Sequence, residues 1–211
     1  MRAGGERPGV DAVVFDLGNV LVRWDPYGPY EGRMDRDAVT AFFEELGFGE
    51  FNRRQDAGRS WASARAEVGE RAPHLLPALD IYVDHFAASL LGPVDGMAEL
   101  VEELGAAGVR LLGLTNWSAE TFHTAEPAAP AIGLLEDVLV SGREGVVKPD
   151  PRIFRLLADR YGLDPGRTVF VDDVPANVAA AADAGFDALL FTDAARLRAD
   201  LASRGLPVGM S

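Results

Sequence analysis

Residues 12–22 read Ala-Val-Val-Phe-Asp-Leu-Gly-Asn-Val-Leu-Val, and this stretch decides the fold. The four apolar residues Ala12–Phe15 suit a strand buried on both faces. The run ends on one carboxylate, Asp16, followed by Leu17, Gly18 and Asn19, where a strand has to turn. An acid at the C-terminal tip of a buried parallel strand stands where open α/β sheets place their chemistry.

Outward from that stretch the texture changes twice. Residues 23–92 hold helical patterns and no strand-like run: Val39, Phe42, Phe43 and Leu46 recur at spacings of three and four, and Ser60–Val68 and Leu75–Leu90 read as helices. From residue 93 strand and helix alternate. Buried runs at Val109–Leu114, Asp137–Val140, Thr168–Val171 and Ala188–Phe191 are separated by amphipathic segments, and Asp150 with Pro151 gives a strong helix start. The expected fold class is therefore α/β, a Rossmann-like parallel sheet with helices on both faces and an inserted all-helical segment. The expected organisation is a core of residues 1–22 and 93–211, with a loose tail over 1–10 and a helical insertion over 23–92.

Composition narrows the function. With 20 basic against 33 acidic residues the net charge is −13, which argues against nucleic acid as a partner. The absence of cysteine excludes disulfides, thiolate nucleophiles and sulfur-ligated zinc. No signal peptide or apolar span of about 20 residues is visible, so a cytoplasmic protein with no membrane partner is expected. Phosphate-loop, complete dinucleotide and serine-hydrolase motifs are missing, and His74, His85 and His123 are scattered. Carboxylates must carry any catalysis.

Asp16, Thr115, Lys148 and the Asp172-Asp173 pair all fall at or just after the C-terminal ends of expected strands, so the fold brings them to one crevice. Their types form a set. A carboxylate can attack phosphorus; the Thr115 hydroxyl and an N–H at Asn116 can hold phosphoryl oxygens; Lys148 offers a point charge. Adjacent acids need a cation, and hard oxygen ligands suit Mg²⁺.

These residues resemble the haloacid dehalogenase superfamily. Phe-Asp-Leu-Gly-Asn-Val at 15–20 matches its first motif and Leu-Thr-Asn at 114–116 its second; Lys148 in Lys-Pro-Asp-Pro matches the third and Val-Asp-Asp at 171–173 the fourth. The resemblance implies a helical cap over 23–92, Asp16 as nucleophile and a Mg²⁺ held by Asp16, the Gly18 carbonyl and Asp173, with Asp172 behind them or occasionally ligating. Thr115, Asn116 and Lys148 would bind phosphate. It points to a phosphatase of a small phosphorylated metabolite, similar to the sugar-1-phosphate branch, acting through an aspartyl-phosphate. The alternatives are a 2-haloacid dehalogenase using Asp16 on carbon, and a catalytically weak relative that binds phosphate ligands.

Three positions depart from the family pattern. Gly18 stands where a general acid–base Asp is usual, Val20 where Thr is common, and Asn177 where a further acid often lies. The first departure implies slow turnover, a good leaving group or a substitute donor from the cap or the substrate. Specificity is expected in the cap, where Trp24, Arg53, Arg54, Gln55, Arg59 and Trp61 mix rings with polar groups and suit a sugar or carboxylated substrate; Arg59 and Gln55 are the expected substrate contacts. Either a monomer or a homodimer fits the sequence.

Overall fold

The computed structural model describes residues 9–209, so residues 1–8 of the expected tail lie outside the described residues. Its strands are β1 (Ala12–Phe15), β2 (Val22–Trp24), β3 (Leu90–Pro93), β4 (Arg110–Thr115), β5 (Asp137–Val140), β6 (Thr168–Asp172) and β7 (Asp187–Leu190). Five of them form a parallel sheet in the order β5-β4-β1-β6-β7. β1 is central, all four of its residues are fully buried, and Phe15 is in register with Gly113 on one side and Val171 on the other. The strand order reverses beside β1, so the tips of β1, β4 and β6 open onto one crevice.

Between β2 and β3 lie α1 (Arg36–Leu46), α2 (Phe48–Asp56), α3 (Trp61–Arg71) and α4 (Leu76–Asp84). β2 and β3 pair antiparallel, a two-stranded ribbon through which the chain leaves and re-enters the core. The helices pack around aromatic rings. Tyr82 alone meets Tyr30, Phe48, Trp61 and Phe86 at centroid distances of 5.2–6.4 Å. Each large, fully buried ring contributes roughly 1.5–3 kcal/mol.

The single helix expected over Leu75–Leu90 is broken. α4 ends at Asp84, a 3₁₀ turn covers Phe86–Ser89, and Leu90 already belongs to β3. The chain has to turn there to meet β2: the Ser89 carbonyl accepts Asp25 N–H at 2.8 Å.

The remaining helices are α5 (Met97–Ala106), the single turns α6 (Ala125–Ala128) and α7 (Ser141–Glu144), α8 (Pro151–Tyr161), α9 (Pro175–Asp183) and α10 (Ala194–Ala202). Strand periodicity splits the core into two layers. Val13 and Phe15 face a layer completed by Met97, Leu100 and Leu104 of α5 and Leu197 and Leu201 of α10. Val14, Leu112, Leu114 and Phe170 face Ile153, Phe154 and Leu157 of α8 and Ala181 of α9. Asp150 caps α8 as its sequence predicts, accepting Arg152 N–H at 2.9 Å. No helix of the described residues is long and apolar enough to cross a membrane.

Candidate active site

Asp16 follows the last residue of β1 and is fixed by its own N–H, which donates to the Val171 carbonyl at 2.8 Å. The loop beyond it is tight. Asn19 adopts a left-handed φ of 57°, its N–H bonds the Val22 carbonyl at 2.7 Å, and its Oδ1 accepts Trp24 N–H at 3.1 Å. Asparagine tolerates this conformation better than other residues with a side chain.

Lys148 is 2% exposed and its ammonium is fully engaged. Nζ lies 2.8 Å from Asp16 Oδ1 and 2.7 Å from Asp172 Oδ2, and donates to the Leu114 carbonyl at 2.9 Å. Burial pulls its pKa down, but the attraction of Asp16 and Asp172 outweighs this and holds the ammonium above its ordinary range. Asn116 clamps the Lys148 backbone from both sides, Oδ1 accepting its N–H at 2.8 Å and Nδ2 donating to its carbonyl at 3.0 Å. The Asn116 side-chain amide therefore positions the lysine; only the rest of the residue is free to meet a phosphoryl group.

Burial pushes the Asp16 carboxyl up to about 6; Lys148 opposes the rise and Asp172 adds to it. Asp172 is wholly buried with both oxygens occupied, by Lys148, by Val174 N–H at 2.8 Å, and by Asn177 Nδ2 at 3.0 and 3.1 Å. Asn177, which departs from the family pattern, thus anchors Asp172. Asp173 is half-buried and its pKa is raised by burial and by Asp172, against the Asn19 amide and Lys148. One carboxylate oxygen from each of Asp16, Asp172 and Asp173 falls within 4.8 Å of the others.

These residues line a cavity of ≈ 210 Å³ together with Gly18, Thr115 and Asn116, except that Asp172 sits behind it. The helical segment closes the other side with Trp24, Asn52, Asp56, Trp61, Tyr82 and Phe86, and Trp117 completes an aromatic wall. Trp61 is 2% exposed, and its buried Nε1 has no hydrogen-bond acceptor among the described residues.

Two expected substrate contacts fail. Arg59 does not line the cavity: its guanidinium lies over the Phe51 ring and pairs with Glu67 at 2.7 Å, inside a cluster that also holds Arg54 and Arg71. Gln55 is 0% exposed and its amide donates to the Phe51 carbonyl at 3.2 Å, so it belongs to the interior of the segment. Both errors have one origin. α2 turns the face bearing Asn52 and Asp56 to the cavity, and that helix was not read from the sequence.

Asp56 is the main residue that sequence reasoning missed. It is the last residue of α2, where a negative charge opposes the helix dipole, and that mismatch was the available signal. Burial pushes its carboxyl up to about 7, Asp16 adds to the rise, and Lys148 and the Ser118 N–H oppose it. Ser141 fixes its backbone: Oγ donates to the Asp56 carbonyl at 2.6 Å while accepting Trp117 N–H at 3.0 Å. The next residue must be glycine, because a Cβ at Gly142 would stand 2.5 Å from Ala119 N and 2.6 Å from Trp117 O.

Comparison with known proteins agrees with this architecture. The model of the haloacid dehalogenase-like hydrolases matches residues 10–185. A sesquiterpene phosphatase, astK, of Aspergillus oryzae is 27% identical over 184 residues, covering 86% of this chain and 90% of that protein. Flavin mononucleotide hydrolase 1 of Arabidopsis thaliana is 30% identical over 117 residues, 56% of this chain and 47% of its own length. A magnesium complex of a Bacteroides thetaiotaomicron enzyme of the same family superposes with a TM-score of 0.69 at 19% identity, covering 88% of this chain and 95% of that one. On the family match, which spans most of its length, the chain belongs to the haloacid dehalogenase-like hydrolases.

Proposed function

We propose that this hydrolase is a Mg²⁺-dependent phosphatase of small phosphate monoesters, with sugar phosphates as the best-fitting class, working through a phosphorylated Asp16. The observation that carries the reading is one carboxylate at the tip of the central strand, bonded to a buried ammonium on one side and standing beside a second acid on the wall of the same cavity. Residues 23–92 act as its cap.

The donor set fits a magnesium ion. Three carboxylates against one ammonium leave two net negative charges, all the donors are oxygen, and the three acids converge within 4.8 Å. Asp16, Asp173 and the Gly18 carbonyl would hold the ion, with Asp172 kept back by its own hydrogen bonds. When bound, such an ion neutralises phosphoryl oxygens and offsets the charge of the acids.

The chain's own residues account for the rest. Lys148 holds Asp16 Oδ1, which keeps the carboxyl oriented and favours its ionised, nucleophilic form. Thr115 and the backbone around Asn116 stand where phosphoryl oxygens would be received. An Asp16 oxygen bonds to phosphorus as the ester oxygen leaves; water then displaces the aspartyl oxygen and restores the carboxylate.

The cavity is smaller than the ~300–1,000 Å³ usual for ligand sites, which favours a small leaving group. Its aromatic wall suits the C–H faces of a sugar ring. Lys148 is the only basic side chain among the described lining residues, so a carboxylated substrate finds no partner of its own. An expelled halide would face the Asp173 carboxylate, so carbon chemistry at Asp16 gains no support. The test is a panel of phosphate monoesters with Mg²⁺ and with chelator. Turnover is expected only with metal and only with Asp16 intact; equal rates after chelation, or in Asp16→Asn, exclude the mechanism.

A further inference from the structure

Breaking a phosphate ester at Asp16 leaves two proton movements unassigned. The departing ester oxygen needs a proton, and the water that releases Asp16 must lose one. Among the described lining residues the titratable side chains are Asp16, Asp56, Tyr82, Lys148 and Asp173. Asp16 would be the nucleophile, Lys148 is bonded to two carboxylates, Asp173 would hold the ion, and burial raises the Tyr82 hydroxyl well beyond proton exchange near neutrality. Gly18 contributes no side chain, although a Cβ there would meet nothing within 4 Å.

We propose, resting on the phosphatase reading above, that Asp56 is the general acid–base of this site, delivered across the cavity by α2. In the first step the P–O bond to the leaving group breaks and Asp56 gives its proton to the departing oxygen. In the second, Asp56 takes a proton from the attacking water while the P–O bond to Asp16 breaks, and phosphate leaves with Asp56 protonated again.

The geometry is that of a placed group. The Asp56 carboxylate lies near enough to Ser118 N–H, in the loop that follows Thr115 and Asn116, for that donor to favour its charged form. Its backbone is tied to the same loop through Ser141, and Asn52 Nδ2 stands 3.4 Å from Oδ2. A second tie lies close by, where Trp61 N–H donates to Glu120 at 3.1 Å. The groups facing Asp56 are Asp16, Lys148 and the Tyr82 hydroxyl. Burial raises the Asp56 carboxyl above the ordinary carboxylate range, the direction that suits a proton donor.

The test separates a proton carrier from a structural acid. Asp56→Asn keeps the shape of the side chain but carries no carboxylic acid proton. It should lower turnover of an alkyl ester such as glucose 6-phosphate by ~10²–10⁴-fold. Release of p-nitrophenol from p-nitrophenyl phosphate in the first turnover should fall less than ~10-fold, because that leaving group needs no acid, and phosphorylated protein should accumulate. A cooperative melt like that of the wild type checks folding, and formate added to Asp56→Ala should restore alkyl-ester turnover. Less than a ~10-fold loss on the alkyl ester, or equal loss on both esters in the first turnover, overturns the proposal. Asp16→Asn reports separately on the underlying reading. If that variant still turns over and the wild type never becomes phosphorylated, the nucleophile is wrong and both readings fall.

Discussion

Replacing Lys148 by methionine tests the electrostatics on which the site rests. The ammonium has 1% of its side chain exposed and is the shared partner of Asp16 and Asp172, whose side chains are 11% and 0% exposed. Methionine fills the space but leaves two buried carboxylates, with oxygens within 4.8 Å, facing each other uncompensated. At an effective dielectric of about 20, two such charges repel by roughly 3 kcal/mol, and breaking a buried pair by removing one partner costs about 3–5 kcal/mol. For a chain of this size that is a fall in Tm of about 6–20 °C.

The loss has a predictable pH dependence. The folded pKa of Asp16, about 6, lies above the unfolded value of 3.8, so its protonated form favours folding and that contribution fades as pH rises through 6. Without Lys148 the folded value climbs further, which enlarges the penalty at pH 8, whereas at pH 5 Asp16 is protonated in both proteins. Denaturant melts in chelator should therefore show a deficit of about 3–5 kcal/mol at pH 8 that shrinks by at least half at pH 5. Adding Asp172→Asn to the variant should recover part of the loss. A deficit below about 1 kcal/mol at pH 8, or one equal at both pH values, would refute this account of the buried triad.

Two further outcomes follow from groups described above. The Asp56 carboxyl, raised to about 7, favours folding while protonated and opposes it as pH rises through 7. Asp56→Asn should thus equal or exceed the wild type in stability at pH 8, by up to about 4 kcal/mol, while losing activity; a variant less stable than wild type at that pH contradicts the sign. Arg59→Ala should weaken the fold by about 1–3 kcal/mol through its lost pairing with Glu67 and stacking on Phe51, yet change KM less than about threefold. A large rise in KM without loss of stability would return Arg59 to the substrate.

The core was legible because its signals are local. An unbroken apolar run ending on an acid marks both a buried parallel strand and its tip, so Asp16, Thr115, Lys148 and Asp173 could be drawn to one crevice before any coordinates. What failed depended on which way a helix faces. α2 is mostly polar, and its residues Asn52, Gln55 and Asp56 look alike in sequence; packing of Phe51 against Trp61 sends Gln55 inward and leaves Asn52 and Asp56 on the cavity. β2 and β3, of three and four residues, are too short to carry a period, and Gly92-Pro93 reads as a breaker.

The bond from Ser141 to the Asp56 carbonyl has a consequence for the order of events. Any outward swing of the helices has to rupture this bond and withdraw Asp56 along with α2. An enzyme caught ajar after the first chemical step would carry its acyl phosphate into bulk water with no base beside it. Hydrolysis then waits for the door to shut, an interlock in which the fastening that seals the chamber also arms it.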